Sequence, residues 1–166
     1  IVDRFIPVSL DISPPPTISM ITAEVIKGMS ESLEEIKPNI CILLGDRYET
    51  FAAAAACHLN KISIVHLHGG ETTLGAIDDK LRHSISQLST WHFTAAETYR
   101  KRVVEMGHDI NNVFTVGPMA LDGIARRKIL KRKTFEKLTG FKFGEKNIIV
   151  TYHPETLLQD NGINGL

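Results

Sequence analysis

Short apolar runs alternate along this chain with longer segments of helical periodicity, and that alternation restricts the fold more than any other feature. The runs at residues 40–44 (Ile-Cys-Ile-Leu-Leu), 62–67, 91–94 and 113–116 each precede a helix-like stretch. Strands that alternate with helices predict a parallel sheet with crossover helices, here a doubly wound, Rossmann-like α/β domain. The run 40–44 is apolar throughout, which predicts a strand buried on both faces. Residues 50–59 are Ala-rich and predict a helix lying close on that sheet. Apolar residues Ile21, Val25, Met29, Leu33 and Ile36 recur at helical spacing, so residues 18–36 are expected to be a helix that ends before Pro38.

Other segments follow the same logic. Residues 4–10 are expected to form an edge strand, and 13–17, with three consecutive prolines, a turn or linker. Helices are expected over 78–88, with Asp78 as its N-cap, and over 96–106, closed by Gly107. Further helices are expected over 121–130 and 131–138. Residues 147–151 read as one more strand, and the tail 158–166 has no periodicity. The charged helix and the glycines around 131–146 look like a connection, so we expect a sheet domain over 1–130, a connector over 131–146 and the start of a second domain over 147–166.

Reactive residues gather where such a sheet binds ligands. Asp46, His68, Glu71 and His153 all fall just beyond the C-terminal ends of expected strands, the edge at which open α/β sheets form their sites. Five of the seven histidines lie between His58 and His92, close to Glu71, Asp78, Asp79 and Arg82. The active site is expected there. His66, one strand step inward, is expected to be a satisfied core histidine, and Arg82 to pair with an acid one helical turn away.

Bulk properties exclude several classes. Nineteen basic side chains are matched by nineteen acidic ones, which gives no reason to expect a nucleic acid partner. The basic cluster at 126–133 reads as a solvated helix face. Cys41 and Cys57 are too few for a disulfide framework and read as buried thiols in a reducing cytoplasm. No apolar run approaches the ~18 residues of a membrane span, and residues 1–20 do not read as a signal peptide. An apolar start without Met suggests that Ile1 is not a natural N-terminus.

The segments LLGDRYE, HLHGGETTLGAIDDKLRHSISQLSTWHF, TVGPMALDGI and IIVTYHPETL resemble, in that order and at similar spacing, hydrolysing UDP-N-acetylglucosamine 2-epimerases. These enzymes open sialic-acid synthesis, with bacterial relatives in legionaminic-acid synthesis. The resemblance implies a two-domain glycosyltransferase-B-like fold that holds a UDP-sugar between Rossmann-like halves, working as a dimer or tetramer without a cofactor. Its reaction eliminates UDP to leave a 2-acetamidoglucal, which water attacks with inversion at C2, giving UDP and N-acetylmannosamine from UDP-N-acetylglucosamine. It implies Asp46, Glu71, Asp78 and His68 as catalytic residues, and Arg47, Arg82, Asp122 and His153 as substrate contacts. Asp79 and His83 would support them.

The chain departs from that pattern in three ways. The strand and Gly-rich turn expected ahead of Ile1 and nearly all of the second domain are missing, so a fragment is expected. His68 stands where many members carry Glu. The loop 71–78 is one residue longer than in the animal enzymes.

A helix N-terminus favours an ionised carboxylate, so we expect Asp78 to be the anion and Asp46 to transfer the proton. Three alternatives stay open. One is a metal-dependent hydrolase using His66, His68 and Asp78. Another is a non-catalytic nucleotide-sugar-binding domain, and the third is a non-hydrolysing epimerase that interconverts two UDP-sugars.

Overall fold

The computed structural model describes residues 2–8 and 16–152. They fall into two compact units, one reaching to Pro118 and one beginning at Met119. No helix among the described residues is long and apolar enough to cross a membrane.

The first unit is built on the alternation seen in the sequence. Helix α1 (Ile18–Ile36) starts at Thr17, whose hydroxyl accepts from the Met20 amide, and stops at Lys37 in a left-handed conformation, one residue before Pro38. Then come β1 (Ile40–Leu44), α2 (Tyr48–Leu59), β2 (Ser63–Leu67), α3 (Asp78–Leu88), β3 (Trp91–Thr94), α4 (Glu97–Glu105) and β4 (Val113–Thr115). The four strands are parallel and stand in sequential order β1-β2-β3-β4. Right-handed crossovers between successive neighbours put the connecting helices α2, α3 and α4 on one face of the sheet.

Register fixes what that face buries. Leu43 sits beside His66, and His66 beside His92, so these side chains share the covered face. Leu33 of α1, Ala54, Ala56 and Cys57 of α2, and Ile85 of α3 close over Leu43 and Ile64 in one apolar cluster. Ala52, Ala54 and Ala56 of α2 are fully buried, as expected of a helix lying tight on a sheet. Cys57 is buried, and neither cysteine forms a disulfide.

Four expectations need correction. Residues 2–8 form no strand: Arg4 pairs with Glu35 at 2.8 Å and Val8 packs beside Ile21 and Val25, so α1 holds this segment instead of a sheet edge. Strand β1 is not buried on both faces. Among the described residues it is one of the two edge strands of the sheet, and Ile42 on the uncovered side is 66% exposed. Asp78 is not a cap; Ile77 precedes the helix with no side-chain bond, and Asp78 is its first residue. Residues 147–151 are not a strand, because no described segment pairs with them, and Ile148 to Val150 stand exposed.

The second unit contains α5 (Ala120–Arg126), which ends earlier than the helix expected over 121–130, and α6 (Arg132–Thr139), shifted by one residue from the helix expected over 131–138. Gly140 ends α6 in the left-handed conformation. Arg132 ties α6 to the Phe143 carbonyl, and Phe135, Phe141 and Phe143 make a small aromatic cluster. The tail 158–166 and His153 lie outside the described residues.

Candidate active site

Three turns at the C-terminal edge of the sheet carry the polar groups. The first follows β1. Gly45, with φ +97°, turns the chain so that Asp46 faces α3. There Arg82 donates through Nη2 to the Asp46 carboxylate and, at 3.0 Å, to the Thr73 hydroxyl. Arg82 is buried, with a side chain only 7% exposed, whereas Asp46 is a quarter exposed. A buried guanidinium needs such partners, because leaving water is costly for an unpaired charge.

Asp79 completes this cluster. One carboxylate oxygen accepts from the Thr73 amide at 2.8 Å and lies 3.8 Å from Arg82 Nη1; the other is 3.9 Å from His83. Asp79 therefore pins the loop between Glu71 and Asp78 to the start of α3. Arg47, by contrast, turns outward and forms a two-pronged pair with Glu49 at 3.0 and 3.1 Å.

The second turn follows β2. His68 adopts a left-handed conformation, φ +65°, unusual for a residue with a side chain. Its amide is held by the Phe93 carbonyl at 2.9 Å. Its Nδ1 donates to Glu71 Oε1 at 2.9 Å, giving a histidine–carboxylate dyad with both side chains partly exposed. The two glycines between them are packed without room. A Cβ on Gly69 would lie 2.9 Å from His66 Nδ1 and from Ser86 Oγ.

Beneath the turns lies His66, fully buried with both ring nitrogens bonded. Nε2 donates to the Gly45 carbonyl at 2.9 Å, so Nδ1 accepts from the Ser86 hydroxyl at 3.0 Å. Burial lowers its pKa to about 4, which keeps this neutral tautomer at ordinary pH. One core histidine thus fastens β2 to the Asp46 turn and to α3. It also leaves no lone pair for a metal, and no group of three or more potential ligands is gathered among the described residues. The metal-hydrolase alternative loses its donor set.

Electrostatics distinguish the acids. The Asp78 pKa is raised, first by burial and then by the negative charge of Asp46, against the opposing pull of Arg47 and Arg82. Asp46 instead lies in direct contact with a buried guanidinium. Burial beside a second carboxylate thus works against the ionised form of Asp78 that its place at the start of α3 suggests. The His83 pKa is lowered by burial.

The structure therefore brings Asp46, Asp78, Asp79, Arg82 and His83 together around the start of α3, with His68 and Glu71 on the adjacent strand end. Asp122 lies in α5 of the second unit and is exposed. Thr73, Ser86 and the hub role of His66 were missed. Their contacts join positions 9 to 21 residues apart, and no local pattern marks them.

Comparison with known proteins adds an independent finding. A family profile described as UDP-N-acetylglucosamine 2-epimerase matches residues 4–164. A GDP/UDP-N,N'-diacetylbacillosamine 2-epimerase (hydrolyzing) of Campylobacter jejuni is 43% identical over 130 residues, covering 78% of this chain and 34% of that protein. A UDP-N,N'-diacetylbacillosamine 2-epimerase (hydrolyzing) of Legionella pneumophila is 44% identical over 128 residues, covering 76% and 33%. The crystal structure of a UDP-GlcNAc 2-epimerase from Neisseria meningitidis bound to UDP-GlcNAc superposes with a TM-score of 0.65 at 25% identity, covering 78% of this chain and 35% of that one. The chain spans about a third of the length of these relatives.

Proposed function

The chain belongs to the UDP-N-acetylglucosamine 2-epimerase family, and from that premise we propose that it carries the acid–base half of a hydrolysing 2-epimerase acting on a UDP-2-acetamido sugar. The observation that carries this reading is the cluster of Asp46, Asp78 and Asp79 around buried Arg82, beside the His68–Glu71 dyad at the sheet edge. The names of the two relatives at 43–44% identity favour UDP-N,N'-diacetylbacillosamine as substrate over UDP-N-acetylglucosamine.

The reaction needs a base for the proton on C2 and an acid or base for water. In the first step the C2–H and C1–O bonds break, UDP leaves with the C1–O electron pair, and a C1=C2 double bond forms. In the second step water supplies hydroxyl to C1, and a proton returns to C2 from the opposite face. One water is consumed, and UDP and the free 2-epimeric sugar result.

Glu71, oriented by His68 Nδ1, is placed to act as the base. Asp78, whose pKa is raised, serves as the group that returns or shares a proton. Asp46, oriented by its contact with Arg82, steadies positive charge developing in the sugar ring. Asp79 and His83 hold the loop and Arg82 in place, while Arg47, Asp122 and His153 are assigned to substrate contacts. A second domain, joined through residues 131–146, would hold the UDP. Free Cys41 and Cys57 suit a cytoplasmic enzyme, and assembly as a dimer or tetramer follows the family reading.

The test is product analysis. The full-length protein, given UDP-N,N'-diacetylbacillosamine or UDP-N-acetylglucosamine, should release UDP together with a free 2-epimer. Formation of a 2-epimer still attached to UDP would contradict the hydrolysing assignment.

A further inference from the structure

We propose that Arg102, on α4, is a positioning residue for the His68–Glu71 dyad, acting through the carbonyl of Gly70; this rests on the acid–base role given to that dyad above. The dyad is carried by a four-residue turn whose backbone is held by few bonds of its own. His68 has φ +65° and Gly70 φ +80°, so two of four residues stand in the left-handed region. Such a turn keeps its shape only when its surroundings impose it.

Two walls impose it. On one side Gly69 abuts the His66 ring and the Ser86 hydroxyl. On the other side Gly70 lies against α4, where a Cβ would fall well inside contact distance of the Tyr99 carbonyl and 2.9 Å from Val103 Cγ2. Gly70 is buried, so its carbonyl needs a partner from protein. Arg102 Nη1 is that partner, reaching from the last turn of α4 across 32 positions of sequence. A charge-assisted bond from a rigid guanidinium fixes the direction of that carbonyl. The next residue in the chain is Glu71, so the carbonyl direction sets where its carboxylate meets His68 Nδ1.

Arg102 also bears on the other half of the site. Burial lowers the pKa of His83 and the charge of Arg102 adds to that against the pull of Asp79, which His83 faces and which in turn faces Arg82. A plain structural role would be simpler, since a cation in the last turn of a helix is favoured by the helix dipole. That role predicts a change in stability alone. Positioning predicts a change in turnover, because a displacement of about 1 Å at a reacting group can cost about 100-fold.

The experiment compares Arg102→Ala, Arg102→Lys and the parent in the full-length enzyme with its UDP-sugar. Positioning predicts that kcat falls about 10–100-fold in Arg102→Ala while KM stays within about threefold. Added guanidinium chloride at tens of millimolar should restore part of kcat to Arg102→Ala and none to the parent. Arg102→Lys, which keeps the charge but not the fork, should remain below the parent. Should Arg102→Ala fail to fold, Arg102→Lys carries the test. A folded variant with parental kcat, or a loss confined to thermal stability, overturns the proposal. An inactive parent would instead strike at the functional reading on which it rests.

Discussion

Replacing Gly70 by Ala separates two costs that the structure places at one position. Gly70 has φ +80°, where a side chain costs about 1–2 kcal/mol through its clash with the following carbonyl. The new Cβ would also press on the Tyr99 carbonyl and Val103 Cγ2, and overpacking of this kind adds about 1–3 kcal/mol. The total is about 2–5 kcal/mol. Gly45 is the control. It has φ +97°, yet a Cβ there meets nothing within 4 Å, so Gly45→Ala should cost only the conformational part. Both substitutions reduce unfolded-chain entropy equally, and that contribution cancels in the comparison. Urea unfolding of the chain can be followed by Trp91, its single tryptophan, which opens β3 and pairs with Val65 of β2. With an m-value near 2 kcal/mol/M, Gly70→Ala should lower the midpoint by about 1–2.5 M and Gly45→Ala by about 0.5–1 M. Equal midpoints for the two variants would refute the close packing of the turn against α4.

Asp78→Asn in the full-length enzyme should lose about 10²–10⁴-fold in turnover, the usual worth of a positioned proton-transfer group, with UDP affinity unchanged by calorimetry. Asp46→Asn leaves buried Arg82 with a neutral amide oxygen, a hydroxyl and a distant carboxylate, so stability should fall by the low end of about 3–5 kcal/mol in denaturant unfolding. In the same variant the limb of the kcat/KM profile set by Asp78 should move to lower pH, because, after burial, the charge of Asp46 is what raises the Asp78 pKa. Burial holds His66 to about 4 and His92 to about 3, below their unfolded values, so their stabilisation is complete above about pH 6.5 and is lost as pH falls toward those values. The urea midpoint should therefore drop between pH 7 and pH 4, and His92→Phe should flatten that slope.

Much of the fold was legible because its signals are local. Trp91 to Thr94 forms a strand with the expected bounds, and α1 stops before Pro38 as its sequence requires. The strand ends did carry Asp46, His68 and Glu71, since a parallel sheet delivers whatever follows its strands to one edge. The misses share a different cause. The apolar run 147–151 shows that those side chains favour burial but not which segment would pair with them. Two-face burial of 40–44 likewise depends on what covers the far side of the sheet, which the run itself does not encode. Asp78 at a helix start resembles a cap, but the loop is tied down by Asp79 accepting from Thr73. The upward shift at Asp78 was equally hidden, because burial and the nearness of Asp46 are set by tertiary structure. Arg102 and Gly70 lie too far apart in sequence for any periodicity to connect them.

The most direct test of acid–base chemistry at this sheet edge is the isotope content of C2 after turnover in deuterated water. The full-length enzyme should release a free 2-epimeric sugar in which proton NMR finds C2 fully deuterated, one solvent hydrogen having replaced the original. Retention of protium at C2 in a released sugar would contradict the account, because UDP would then have been hydrolysed away without cleavage of the C2–H bond.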